Sequence, residues 1–176
     1  MDIYWHELSA YKGEIEDIAA KLDEFRREPS CVANSTHFGI GLSNRALLIL
    51  VGMCALVESR LYDLAEEEQS KHAFSVDDIK GPGITRLQKY LSKSKRIHFG
   101  SVRKWDQFKA AYEIRNAFVH SYGGLVETKL QSKAREALTV LGIQDAFFGR
   151  RIRLTSTHMR DIHEIFTVVL EELQNV

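Results

Sequence analysis

Tyr4, Leu8, Tyr11, Ile15, Ile18, Leu22 and Phe25 recur at alternating spacings of four and three residues. That rhythm puts one narrow apolar seam on an α-helix, which Pro29 ends. The stretch Pro29–Leu42 mixes Ser, Asn, Thr, His and Gly and reads as a loop. Ser43 or Asn44 can then cap a second helix running to about Gln69. Its first half, RALLILVGMCALVES, is apolar on every side, which predicts the central, most buried helix; its second half, RLYDLAEEEQSK, turns polar and exposed. Lys80-Gly-Pro-Gly83 punctuates the chain, and ITRLQKYLSKSK makes a shorter helix with Ile84, Leu87 and Leu91 on one side.

A fourth helix, VRKWDQFKAAYEIRNAFVH, follows Gly100-Ser101 and stops at Ser121-Tyr-Gly-Gly124, where Gly123 or Gly124 suits a left-handed cap. A short helix over Lys129–Val140 and a loop come next. Arg150–Thr155 reads as a short strand, and Thr157–Leu173 closes as a helix with Met159, Ile162, Phe166, Val169 and Leu173 as its seam. There are only two prolines and no internal repeat. The pattern predicts one all-α domain over residues 1–176, a bundle of about five helices with a short strand or hairpin before the last.

Composition narrows the function classes. Lys+Arg and Asp+Glu both number 24, so a strongly basic nucleic-acid coat is excluded and any polyanion site must be a local patch. Two cysteines, Cys31 and Cys54, cannot make a disulfide framework or a Cys-rich zinc site. Cys54 falls in the apolar helix as a reduced core thiol, which fits a cytoplasmic protein. The N-terminus lacks the basic-then-apolar order of a signal peptide. The longest apolar run, Ala46–Val57, is 12 residues, too short to cross a bilayer, so no membrane partner is expected.

The common catalytic signatures are absent. There is no GxxxxGK[ST], HExxH or GxSxG, and Gly81-Pro-Gly-Ile84 reads as a helix-entry turn. His158 and His163 lie five apart and do not share a helix face well, so they read as ordinary helix-surface or interface histidines, not metal ligands. No metal and no cofactor is expected.

The fourth helix carries the chemistry. With Trp105 at zero on a wheel of about 100° per residue, Phe108, Ala111, Tyr112, Ile114, Phe118 and Val119 fill an apolar arc, and Arg115 falls inside it at about 280°. A guanidinium on an apolar face is costly unless it is paired or faces a wet cleft. Lys109, Asn116 and His120 gather at about 20–60° on the border of that arc. One reading is structural: an Arg paired to a buried carboxylate and a His favoured by the helix C-terminus. The other is an anion site, with Arg115 as phosphate fork, Asn116 as hydrogen-bonding aid and His120 as titrating group. Spacing leaves both open.

Arg115-Asn-Ala-Phe-Val-His120 resembles the R-x4-6-H signature of the HEPN superfamily, whose ribonucleases usually carry a polar residue after the Arg, as Asn116 is here. The motif's place late in a helix before a loop, and the apolar helix leading into Ala55-Leu-Val-Glu-Ser59, are similar to small stand-alone prokaryotic members. The resemblance covers roughly residues 1–125 and the final helix. It implies a metal-independent endoribonuclease, with the motifs of two protomers lining a shared cleft in a homodimer. It also implies RNA as substrate, with Arg115, Asn116 and His120 as catalytic residues and a toxin or anti-phage role restrained by a partner protein.

Supporting residues are open to two readings each. Lys109 and Lys104 can contact phosphate or be solvated lysines. Tyr122 can stack on a base or pack on the core. Glu58 can orient Arg115 across helices or be a surface carboxylate. Arg150, Arg151 and Arg153 can line a nucleic-acid backbone or guard a strand edge. Two other functions compete with the ribonuclease. One is a catalytically silent HEPN module binding a nucleotide, RNA or protein; the other is a helical adaptor dimerising through the Tyr4–Phe25 seam.

Overall fold

The computed structural model describes residues 3–27, 35–121 and 125–176. Helices α1 (Ile3–Arg27), α2 (Ser35–Gln69), α3 (Gly83–Ser94), α4 (Trp105–Val119), α5 (Thr128–Leu141) and α6 (Ser156–Gln174) alternate with short 3-10 turns. A two-residue hairpin, β1 (Phe147–Phe148) and β2 (Arg151–Ile152), precedes α6 with Phe147 opposite Ile152. The chain is all-α, as its periodicity predicts.

α2 is the axis of the bundle. It packs on α1, α3, α4 and α6, and Leu47, Leu50, Met53, Cys54, Val57 and Leu61 are sealed from solvent along it. One continuous core draws side chains from all six helices. The α1 seam is consumed inside this core: Tyr4, Leu8, Ile15 and Ile18 are buried against α2 and α6. An adaptor that dimerises through that seam therefore has no free seam to use. Paired charges fix α1 in place, with Arg45 bonding Asp17 at 2.5 Å and also Glu14, while Arg160 grips Glu16 with two bonds of 2.9 and 2.6 Å.

Three expectations need correcting. The predicted loop Pro29–Leu42 is helical from Ser35 onward; residues 28–34 lie outside the described set. Gly39 and Gly41 do not break α2, because Phe38 stacks on Phe25 of α1 with ring centroids 4.5 Å apart, and tertiary contact outweighs their low helix propensity. Ser43 and Asn44 consequently sit inside the helix instead of capping it. α2 is the central helix that its apolar run predicts, although Leu48 on that run is 62% exposed. Finally, Thr36–Gln69 is long and apolar enough by length and composition to cross a membrane, unlike the 12-residue run read from sequence, and half of its apolar stretch is buried within the bundle.

Cys54 is a free, buried thiol whose titration burial pushes well up, so it is an inert core residue. The histidines of α6 have structural work. His158 closes a capping box with Thr155 and reaches Asp145 at 3.2 Å, and His163 Nε2 bonds the Leu8 carbonyl at 3.0 Å.

Candidate functional site

α4 begins at Trp105, not Val102, because Lys104 adopts a left-handed backbone with φ of 58°. The buried face of α4 packs Trp105, Phe108 and Ile114 into the core, which fixes the helix's rotation. What remains of its wheel faces a groove of about 520 Å³ between the first turn of α3, α4 and α5. Arg115, Asn116, His120 and Lys109 all line this groove. The motif residues that the wheel split between arc and border thus meet at one concavity.

Arg115 is half-buried. Its guanidinium lies over the Tyr112 ring at 5.1 Å, and Nη1 donates to Asn116 Oδ1 at 2.9 Å. Among the described residues it pairs with no carboxylate, and its buried Nε–H has no acceptor. The structural reading of an Arg locked to a buried acid is therefore not what the fold builds. The charge is met by an aromatic face and an amide, and it remains open towards the groove.

Glu58 is routed differently from the expectation that it orients Arg115 directly. Its Oε1 accepts the Tyr112 hydroxyl at 3.3 Å, and the Tyr112 ring in turn carries Arg115. Burial, with the Glu58 charge second, pushes the Tyr112 phenol up to about 12. Gly83 opens α3 directly above this pair with φ of +41°; a Cβ there would stand 2.9 Å from the Tyr112 oxygen and 3.3 Å from Glu58 Oε1. Only glycine lets α3 enter so close to the site.

His120 is the C-cap of α4, its N–H bonded to the Asn116 carbonyl at 3.0 Å. Its ring is exposed and makes no hydrogen bond among the described residues. It stands between the Arg115 groove and a second furrow of about 500 Å³ that runs past Val119 and Lys129. A titratable ring with free nitrogens between two open concavities is placed to exchange protons with a ligand.

The remaining expectations separate. Lys109 is on the groove wall but is paired to Asp106 at 2.7 Å. Lys104 lies at the other end of α4, bonded to Glu164 at 2.6 Å, and does not line the groove. Tyr122, Gly123 and Gly124 lie outside the described residues. Arg151 belongs to the hairpin, while Arg153 is half-buried and donates to Asn44 Oδ1 at 3.4 Å; none of the three basic residues lines the Arg115 groove. Two site residues escaped the sequence reading. Lys133 of α5 reaches the groove and pairs with Glu113 at 2.9 Å. Tyr112 had a signal, since it stands one turn before Arg115, but its apolar neighbours made it look like core.

Another concavity, about 450 Å³ between α1 and α6, holds Trp5 and the Arg160–Glu16 pair, so its arginine is already neutralised. The α4 groove differs in offering an arginine that pairs with no carboxylate among the described residues. Among the described residues no group of three or more His, Cys, Asp or Glu side chains is placed to hold a metal ion. The chain matches no family model, no curated protein and no solved structure.

Proposed function

We propose that the protein is a metal-independent endoribonuclease of HEPN type. The observation that carries this reading is that Arg115, Asn116 and His120 line one groove while Arg115 has no carboxylate partner among the described residues. In this reading an RNA phosphate lies against the Arg115 guanidinium. The neighbouring 2′-hydroxyl gives up its proton and attacks phosphorus; the bond to the 5′-oxygen breaks and that oxygen takes a proton. The products are a 2′,3′-cyclic phosphate and a 5′-hydroxyl. His120, whose ring makes no hydrogen bond among the described residues, can take or give one of these protons. Arg115 stabilises charge on the phosphate oxygens, and Asn116 holds the guanidinium in register.

Two proton transfers and a single motif histidine per protomer favour a homodimer that brings two motifs together. Val119, 49% exposed beside His120, offers apolar surface for that contact. The groove of one protomer already accommodates Arg115, so the apolar arc of α4 does not by itself require a second copy. A cytoplasmic toxin or defence enzyme, restrained by a partner protein, is the setting this reading implies.

The test is cleavage of single-stranded RNA in EDTA with end analysis. Cyclic phosphate ends from the wild type, and none from folded His120→Ala, are expected. Activity that disappears with chelator and returns with Mg²⁺ would overturn the mechanism.

A further inference from the structure

Three concavities join end to end across the surface. The furrow at Val119 and Lys129 shares His120 and Leu130 with the Arg115 groove. The Arg115 groove shares Gly83 with a third furrow, about 360 Å³, between α2 and α3. Gly83 is the low sill between these last two, with no side chain to obstruct it. Beyond that sill the chemistry proposed above draws only on Glu58, which holds Tyr112 in place.

Two residues there are only weakly engaged by the rest of the fold. Tyr62 on α2 is 55% exposed and makes no hydrogen bond or ring contact among the described residues. Arg86 on α3 is half-buried; among the described residues its one acidic partner is Asp77 at 3.4 Å, a side chain 89% exposed, and its buried Nε–H has no acceptor. The carboxylate in the same furrow, Glu58, is engaged by the Tyr112 hydroxyl. Thus an under-compensated guanidinium and a bare aromatic face stand together, one sill away from the under-compensated Arg115. Single-stranded nucleic acid is bound by this combination, cations along its backbone and aromatic faces under its bases.

We infer that the α2–α3 furrow is a subsite for the nucleotide flanking the reacting phosphate, with its phosphate at Arg86 and its base on Tyr62. This rests on the ribonuclease reading and names how that site holds its substrate: a single strand crossing Gly83, not a duplex.

Binding of fluorescein-labelled 2′-O-methyl RNA, which cannot cleave itself, tests it by anisotropy. Oligomers of about two and about eight nucleotides are compared. For the longer strand, Tyr62→Ala is expected to weaken binding roughly 5- to 100-fold and Tyr62→Phe to restore it, while the dinucleotide binds all three proteins alike. Arg86→Gln is expected to reduce the salt dependence of the longer strand by about one phosphate contact. Equal affinity of wild type and Tyr62→Ala for the longer strand overturns the subsite. So does a drop in particle mass for Tyr62→Ala in light scattering with RNA affinity unchanged, which would assign the furrow to a protein contact. If the wild type cleaves RNA but the variants bind equally, the subsite alone falls; if the wild type neither binds nor cleaves, the ribonuclease reading falls with it.

Discussion

The guanidinium of Arg115 lies over the ring of Tyr112, with Cζ 5.1 Å from the ring centroid, and the Tyr112 hydroxyl is tied to Glu58 at 3.3 Å. A carboxylate on α2 therefore fixes a ring on α4, and the ring fixes the cation. Charge and aromatic face attract most where water is scarce, and Tyr112 is buried while Arg115 reaches outward.

Tyr112→Leu should loosen Arg115 and lower the rate of RNA cleavage by roughly 2- to 30-fold, the rate equivalent of a cation–π contact. Tyr112→Phe keeps the ring and should retain most of the rate. Equal losses in both variants would show that the hydroxyl, not the ring, is what matters.

His120→Ala should cost ~10²–10⁴-fold in rate as a lost proton-transfer group. The side chain is exposed at a helix end, so the thermal midpoint should barely move. The double variant with Arg115→Ala should lose much less than the product of the single losses, because the proposed mechanism puts both in one transition state. Independent, multiplicative losses would show that they do not.

The raised titration of Tyr112 has a stability consequence. Its phenol ionises at about 12 in the folded chain against an ordinary 10.0. Above the ordinary value the unfolded chain releases this proton and the folded chain keeps it. Stability from this group is therefore fully present below about pH 10 and lost as pH rises towards about 12. Urea midpoints of wild type and Tyr112→Phe should converge, or cross in favour of Phe, over that interval. A gap that stays constant from about pH 8 upward argues against a buried, protonated phenol.

Gly52 packs under the Tyr11 ring, and a Cβ there would stand 2.7 Å from Tyr11 Cζ. Gly52→Ala should destabilise the α1–α2 contact by about 1–3 kcal/mol of overpacking, against about 1 kcal/mol of gained helix propensity. In a Tyr11→Leu background the same change should be neutral or stabilising. Chemical denaturation of the four proteins checks both signs.

Periodicity alone was enough to lay out the helices, and spacing was enough to pick out the motif. Seams such as Tyr4–Phe25 and Met159–Leu173 depend only on a residue's neighbours three and four away, so the all-α fold and the order of its elements were legible without coordinates. The rotation of α4 was partly legible for the same reason, which placed Lys109, Asn116 and His120 on one border. Tertiary structure decided what those residues face. Gly39 and Gly41 read as loop until Phe38 met Phe25, a contact spanning the connection between two helices. Arg115 looked stranded because a wheel shows one helix and not the groove that α3 and α5 build beside it. Tyr112, Lys133 and the Gly83 sill join the site from three separate segments. Local spacing carries no information on such meetings; they are fixed by how buried faces pack, and packing is a property of the whole chain.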